Sequence, residues 1–163
     1  MADGDDRANT VRLLPLLTSF RGRISRKPWW IGLVIWFVGN MSGMFLFDPE
    51  LFTSDEIPPP SWPDTVWQLV WLFPLAAITI KRCNDRDWPH RLAYTFVALF
   101  ALYILGLQSG VPIDPGASGA GRAAFWIMAI VQLLVVIDNG FFPGTDGPNR
   151  HGPDPLSPDA PAA

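Results

Sequence analysis

Three short polar motifs hold the side chains whose chemistry stands out in this chain. They cover residues 20–30, 81–88 and 144–155, and each borders a long apolar stretch. Arginine presents a planar fork that matches the oxygens of a phosphate or a carboxylate, and aspartate and asparagine accompany it in these motifs. The candidate binding residues are Arg23, Arg26, Arg82, Asp85, Arg86, Asn149 and Asp154.

Two interpretations of these residues follow from their chemistry. In the first, arginines pair with aspartates and lock the ends of neighbouring apolar segments together, while Asn149 and Asp154 bond to loop backbone. In the second, the arginines bind an anionic group such as a lipid phosphate. The sequence favours the first interpretation and leaves the second open.

Residues suited to catalysis or metal binding are sparse. His90 and His151 are lone imidazoles, and neither stands at metal-ligand spacing from Cys83. The sequence also contains no P-loop, dinucleotide-binding or zinc-protease motif. We therefore expect a non-enzymatic protein with no metal and no cofactor.

Four apolar stretches must position the polar motifs. They cover residues 28–47, 62–80, 92–108 and 123–142, the last of which is uncharged over 123–137. A helix of about 20 apolar residues spans the roughly 30 Å core of a bilayer. The sequence therefore predicts an all-α integral membrane protein with four transmembrane helices and short loops.

Composition and charge support this class. Of the 163 residues, 49% are hydrophobic and 17% charged, against about 25% charged in soluble domains. The net charge of −3 argues against a nucleic-acid partner, because such proteins carry basic surfaces. We expect a disordered or interfacial segment over 1–19, a membrane domain over 20–155 and a disordered tail over 156–163.

The charges of the connecting segments predict the orientation. Basic residues precede the first span and occupy the second loop, whereas loops 48–60 and 109–121 contain no lysine or arginine. Short segments rich in lysine and arginine stay in the cytoplasm. Both termini and the second loop are therefore predicted to be cytoplasmic.

Three glycines mark one face of the first span. Gly32, Gly39 and Gly43 lie seven and four residues apart, and small residues at such spacing let another helix approach closely. This face is a candidate for helix packing, including self-association of the chain. Scattered glycines of no special role are the alternative.

The three polar motifs, taken in order, resemble those of the DUF805 family of small bacterial inner-membrane proteins of unknown function. That family has Phe-x-Gly-Arg-x-Ser-Arg before the first span, Arg-x-x-Asp after the second and Gly-x-Asn-x-x-Gly-x-Asp-Pro after the fourth. All three occur here, and the resemblance covers residues 20–155. Cys83 and Asn84 replace the leucine and histidine usual in the second motif, so a role for that histidine does not transfer.

These features predict a structural or interaction role in the bacterial inner membrane. The expected partners are membrane lipids, a second copy of the chain or another membrane protein. One alternative is a small-solute transporter or channel subunit that acts as an oligomer, with Asn40 or Gln132 lining the path. The other is an enzyme acting on lipid phosphates, with Asp85 or Asp154 as base.

Overall fold

Four long helices and one short one make up the computed structural model, which describes residues 11–53 and 60–157. The helices are α1 (Leu13–Thr18), α2 (Arg26–Phe47), α3 (Trp62–Asp85), α4 (His90–Gln108) and α5 (Gly119–Phe141), with a 3-10 turn at Pro49–Phe52. Helices α2 to α5 are each long and apolar enough to cross a membrane. Within the described residues the protein is all-helical, which confirms the predicted fold class.

Helix α3 is the central element. It packs against α1, α2, α4 and α5, and half of its most apolar stretch is buried, against less than a fifth in each of the other long helices. Its N-terminus is capped by Ser61, whose hydroxyl accepts a hydrogen bond from the backbone N–H of Asp64. The helix continues through Pro74 to Asp85, five residues beyond the predicted end of the span.

The glycine face of α2 lies against α3 of the same chain. A methyl group added at Gly39 would overlap the Trp71 indole, and one added at Gly43 would overlap Trp67. The Trp67 indole N–H also donates to the carbonyl of Gly39 at 2.8 Å. The close approach predicted for these glycines is therefore used by a helix within the chain.

The N-terminal segment is docked on the bundle over its described part. The sequence predicts a disordered or interfacial segment over 1–19, of which residues 1–10 lie outside the described residues. Leu16 of α1 is fully buried in the core. The ammonium group of Lys81 donates to the carbonyls of Pro15 and Leu16 at 2.8 and 2.6 Å, so a buried lysine caps this short helix. Most of the predicted tail, residues 158–163, is likewise outside the described part.

The helices alternate in direction, so the chain connections meet at two ends of the bundle. The start of α2, the end of α3, the start of α4 and the end of α5 lie at one end, which we call the polar end. Residues 143–157 follow α5 there and form the C-terminal segment. All three polar motifs of the sequence therefore meet at the polar end.

Candidate functional site

A buried carboxylate stands at the centre of the polar end. Asp85, at the last turn of α3, accepts a hydrogen bond from the Arg23 Nε at 3.1 Å and another from the Arg82 Nη1. The side chains of all three residues are at most 3% exposed. Buried charges are costly unless they are paired and fully hydrogen-bonded, so the remaining donors of both arginines need partners.

Arg23 finds those partners in the C-terminal segment. Its Nη1 donates to the carbonyls of Gly147 and Gly152 at 2.7 and 3.2 Å, and its Nη2 donates to the carbonyl of Thr145 at 2.7 Å. One guanidinium group thus ties the segment before α2 to Asp85 and to three carbonyls more than 120 residues further along the chain.

Arg82 plays the equivalent role for α5. Its Nε donates to the carbonyl of Asn139 at 2.7 Å, and its Nη2 donates to the carbonyl of Phe142. The last carbonyls of a helix have no partner within the helix itself. A positive side chain of α3 therefore caps the C-terminus of α5, where a cation also suits the helix dipole.

Two asparagines complete the connections. Asn84 donates to the carbonyl of Gly22 at 2.8 Å, and Asn149 donates to the carbonyl of Asn84 at 2.9 Å. The C-terminal segment also lies directly on α3, since the N–H of Thr145 donates to the carbonyl of Asp85 at 2.8 Å. We call Arg23, Arg82, Asn84, Asp85 and Asn149 the polar clasp.

Asp154 shapes the C-terminal segment from within. Its carboxylate accepts hydrogen bonds from the backbone N–H groups of Leu156 at 2.9 Å and Gly147 at 3.0 Å. These two bonds, that from Leu156 first, hold the pKa of Asp154 below its usual value. The residue is therefore ionised at neutral pH and fixes the turn.

The other two predicted arginines lie outside the clasp. Arg26 is exposed and donates to the carbonyl of Phe141 at 3.2 Å. Arg86 pairs with Asp138 of α5 at 3.1 Å. Its guanidinium carbon lies 5.1 Å from the ring centroid of Trp88 and 5.2 Å from that of Phe142. The structure thus brings five of the seven candidate residues to the clasp and the segment it holds, and places two at its edge.

The space beside Asp85 is small. A cavity of about 50 Å³ is lined by Ser25, Arg26, Arg82 and Asp85 together with residues of the C-terminal segment. A buried water needs at least about 10–15 Å³ of such space, so this cavity has room for a few water molecules. The carboxylates of Asp85, Asp146 and Asp154 on its wall disfavour a phosphate. This geometry favours the ion-pair interpretation of the motifs over a phosphate site within the clasp.

The histidines lie at the edge of the same region. His90 bonds to the amide oxygen of Asn84, and its ring centroid is 4.9 Å from that of His151. Burial lowers the pKa of His151, and the neighbouring His90 adds to the effect. Across residues 11–53 and 60–157, no group of three or more His, Cys, Asp or Glu side chains is placed to hold a metal ion.

Some buried polar contacts were not predicted from the sequence. At the other end of the bundle, Asp64 is 1% exposed and accepts a hydrogen bond from Gln68 at 2.5 Å. Next to it the Thr65 hydroxyl donates to the Gln108 side chain at 2.6 Å. The four-residue spacing of Asp64 and Gln68 on a helix could have predicted their contact. Lys81 and Thr65 gave no signal, because their partners come from remote elements.

Four apolar helices that are joined at one end by a buried polar clasp define a small multi-pass membrane protein. The chain belongs to the DUF805 family, described as a protein of unknown function, which matches residues 17–153. The resemblance predicted from the three motifs is therefore confirmed.

Curated relatives are similar over most of their length. The uncharacterised protein YiiR of Escherichia coli K12 is 30% identical over 138 residues, which cover 85% of this chain and 86% of the relative. YiiR of Escherichia coli O157:H7 matches to the same extent. No solved structure is similar enough to this chain to count as a match.

Proposed function

We propose that this chain is a non-enzymatic interaction protein of the bacterial inner membrane, with both termini in the cytoplasm. Its C-terminal segment would be the surface that binds a protein partner. This proposal rests on one observation, the polar clasp. The charged groups of the clasp hold the C-terminal segment in one conformation. A binding surface that is ordered in advance loses less conformational entropy when it meets its partner.

The distribution of exposed charge supports the orientation. Exposed basic side chains surround the polar end of the bundle, namely Arg12, Arg21, Arg26, Lys27, Arg91 and Arg150. Such residues favour the cytoplasmic side and attract the headgroups of its anionic leaflet. These residues support a proposal of lipid contact at this exposed ring, whereas Arg23 and Arg82 are buried and occupied.

The clasp also bears on the alternative of an enzyme. A general base must reach the proton that it removes, whereas both oxygens of Asp85 accept from arginines and the oxygens of Asp154 accept from backbone N–H groups. These contacts support a structural role for both carboxylates.

The test is photocrosslinking in living cells. A photoreactive amino acid is placed at Pro148 or Leu156, both exposed on the C-terminal segment, and for comparison at Phe52 at the other end. We expect a crosslinked product of one discrete mass from the first two positions and not from Phe52. Asp85→Asn should remove it, because the segment is then released from α3.

The same product from a chain carrying Asp85→Asn would contradict the proposal, as would the lack of any discrete product from Pro148 and Leu156. Solute flux in reconstituted vesicles that Gln132→Leu abolishes would instead support the transporter alternative.

A further inference from the structure

A long apolar groove runs between α4 and α5. It consists of a cavity of about 480 Å³ near the polar end and one of about 310 Å³ further along, and the two share Leu99 and Val131 as walls. Pockets that bind small ligands measure about 300–1,000 Å³. The volume is therefore that of a ligand site, and its shape is elongated along the helices.

The depth of the groove matches that of a lipid chain. On α5 the cavity near the polar end reaches from Asn139 to Val131, which is roughly 12 Å at 1.5 Å per residue. Each leaflet contributes about half of the roughly 30 Å hydrocarbon core. An acyl chain that enters from the polar end would thus extend along the first cavity and reach the second.

The rim of the groove carries the Arg86–Asp138 ion pair, and the guanidinium group has donor capacity left over. Trp88, Asp138 and Phe142 line the cavity, and Arg86 contacts all three of them. Among the described residues, the buried Nη1 of Arg86 has no hydrogen-bond partner. A buried polar group of this kind calls for an explanation, and an anionic oxygen at the rim would supply the missing acceptor.

Among the described residues, two polar side-chain oxygens inside the groove also lack hydrogen-bond partners. Thr79 and Asn139 line the cavity at 2% and 4% exposure. Their side-chain oxygens, the Thr79 Oγ1 and the Asn139 Oδ1, are buried without a hydrogen-bond partner in the part of the chain that the structure describes. Both lie toward the polar end, in the region where a lipid's ester groups would lie.

We propose that the groove between α4 and α5 binds an anionic phospholipid, with one acyl chain along the groove and the phosphate at Arg86. Basic pockets between helices on the cytoplasmic side are a known way of holding anionic lipids, and a tryptophan at the rim suits the headgroup level. This site is separate from the polar clasp and rests on the proposed function only for the leaflet in which it lies.

The experiment uses the full chain in nanodiscs that contain a small fraction of phosphatidylglycerol with a photoreactive group in its acyl chain. Crosslinked residues are mapped by mass spectrometry. We expect labelling concentrated on groove residues such as Leu99 and Val135, above that of exposed positions on α2 such as Val34 and Val38.

Matched variants identify the source of the labelling. Val135→Phe fills the groove and should remove the labelling of Leu99, whereas Leu133→Phe, on the exposed face of α5, should not. Arg86→Gln should lower groove labelling about fivefold, the size of effect that one basic side chain has at an anionic leaflet. Arg86→Lys should retain most of it, and Arg122→Gln, exposed at the other end of the bundle, should have no effect.

Several outcomes would overturn the proposal. One is equal labelling of α2 and the groove, and another is equal labelling by the matching phosphatidylcholine probe. A third is crosslinking of Leu99 to a second polypeptide in place of the lipid, which would assign the groove to a protein helix.

Discussion

At the scale of single residues, Asp85 is the group on which most contacts depend. Its carboxylate lies between Arg23 and Arg82, and its carbonyl receives the N–H of Thr145. The sequence predicted that these charges lie near each other, because their motifs flank the spans. It did not predict their burial, since a run of charges such as 81–87 has the composition of an exposed loop and its partners come from distant parts of the chain.

Asp85→Asn should lower the free energy of unfolding by about 3–5 kcal/mol, because it leaves two buried guanidinium groups without their counter-charge. Thermal unfolding of the purified protein in detergent measures the loss. Asp87→Asn is the matched control: Asp87 forms an exposed pair with Arg150, and such pairs contribute about 0–1 kcal/mol. Equal effects of the two substitutions would contradict the central role of Asp85.

At the scale of the helices, hydropathy predicts the spans well but not their ends. The second predicted span stops at residue 80, whereas α3 continues to Asp85. Lys81, Arg82 and Asp85 extend the helix because their side chains are satisfied inside the bundle, which no average of residue hydropathy records. The sequence also did not predict that α1 packs on the bundle, because its carbonyls are bound by Lys81 of a remote element.

The α2–α3 contact allows a direct test at this scale. Gly39→Leu should lower the unfolding free energy by about 1–3 kcal/mol, the usual cost of overpacking, because the new side chain overlaps Trp71. Val38→Leu, next to it but 60% exposed, should leave stability almost unchanged. The measurement is thermal unfolding in detergent together with crosslinking of copies in membranes. Weaker self-association with unchanged unfolding would assign this face to an oligomer instead.

At the scale of the whole molecule, the exposed charges predict which end faces the cytoplasm. The native thiol of Cys83 is a poor reporter of this because it is 6% exposed. Cysteines introduced at Asp146 and at Ser118, on opposite ends of the bundle and in a Cys83→Ser background, are better placed. An impermeant maleimide should label Asp146→Cys only in inverted vesicles and Ser118→Cys only in spheroplasts. The reverse pattern would overturn the orientation.

The polar clasp also imposes an order on biosynthesis. The carbonyls that satisfy Arg82 belong to residues 57 and 60 positions further along the chain. At about 5–20 residues per second they leave the ribosome roughly 3–12 s later. During that interval the Nε and Nη2 of Arg82 lack their permanent acceptors. The central helix therefore becomes fully compatible with the apolar surroundings of its neighbours only after the end of α5 has been synthesised.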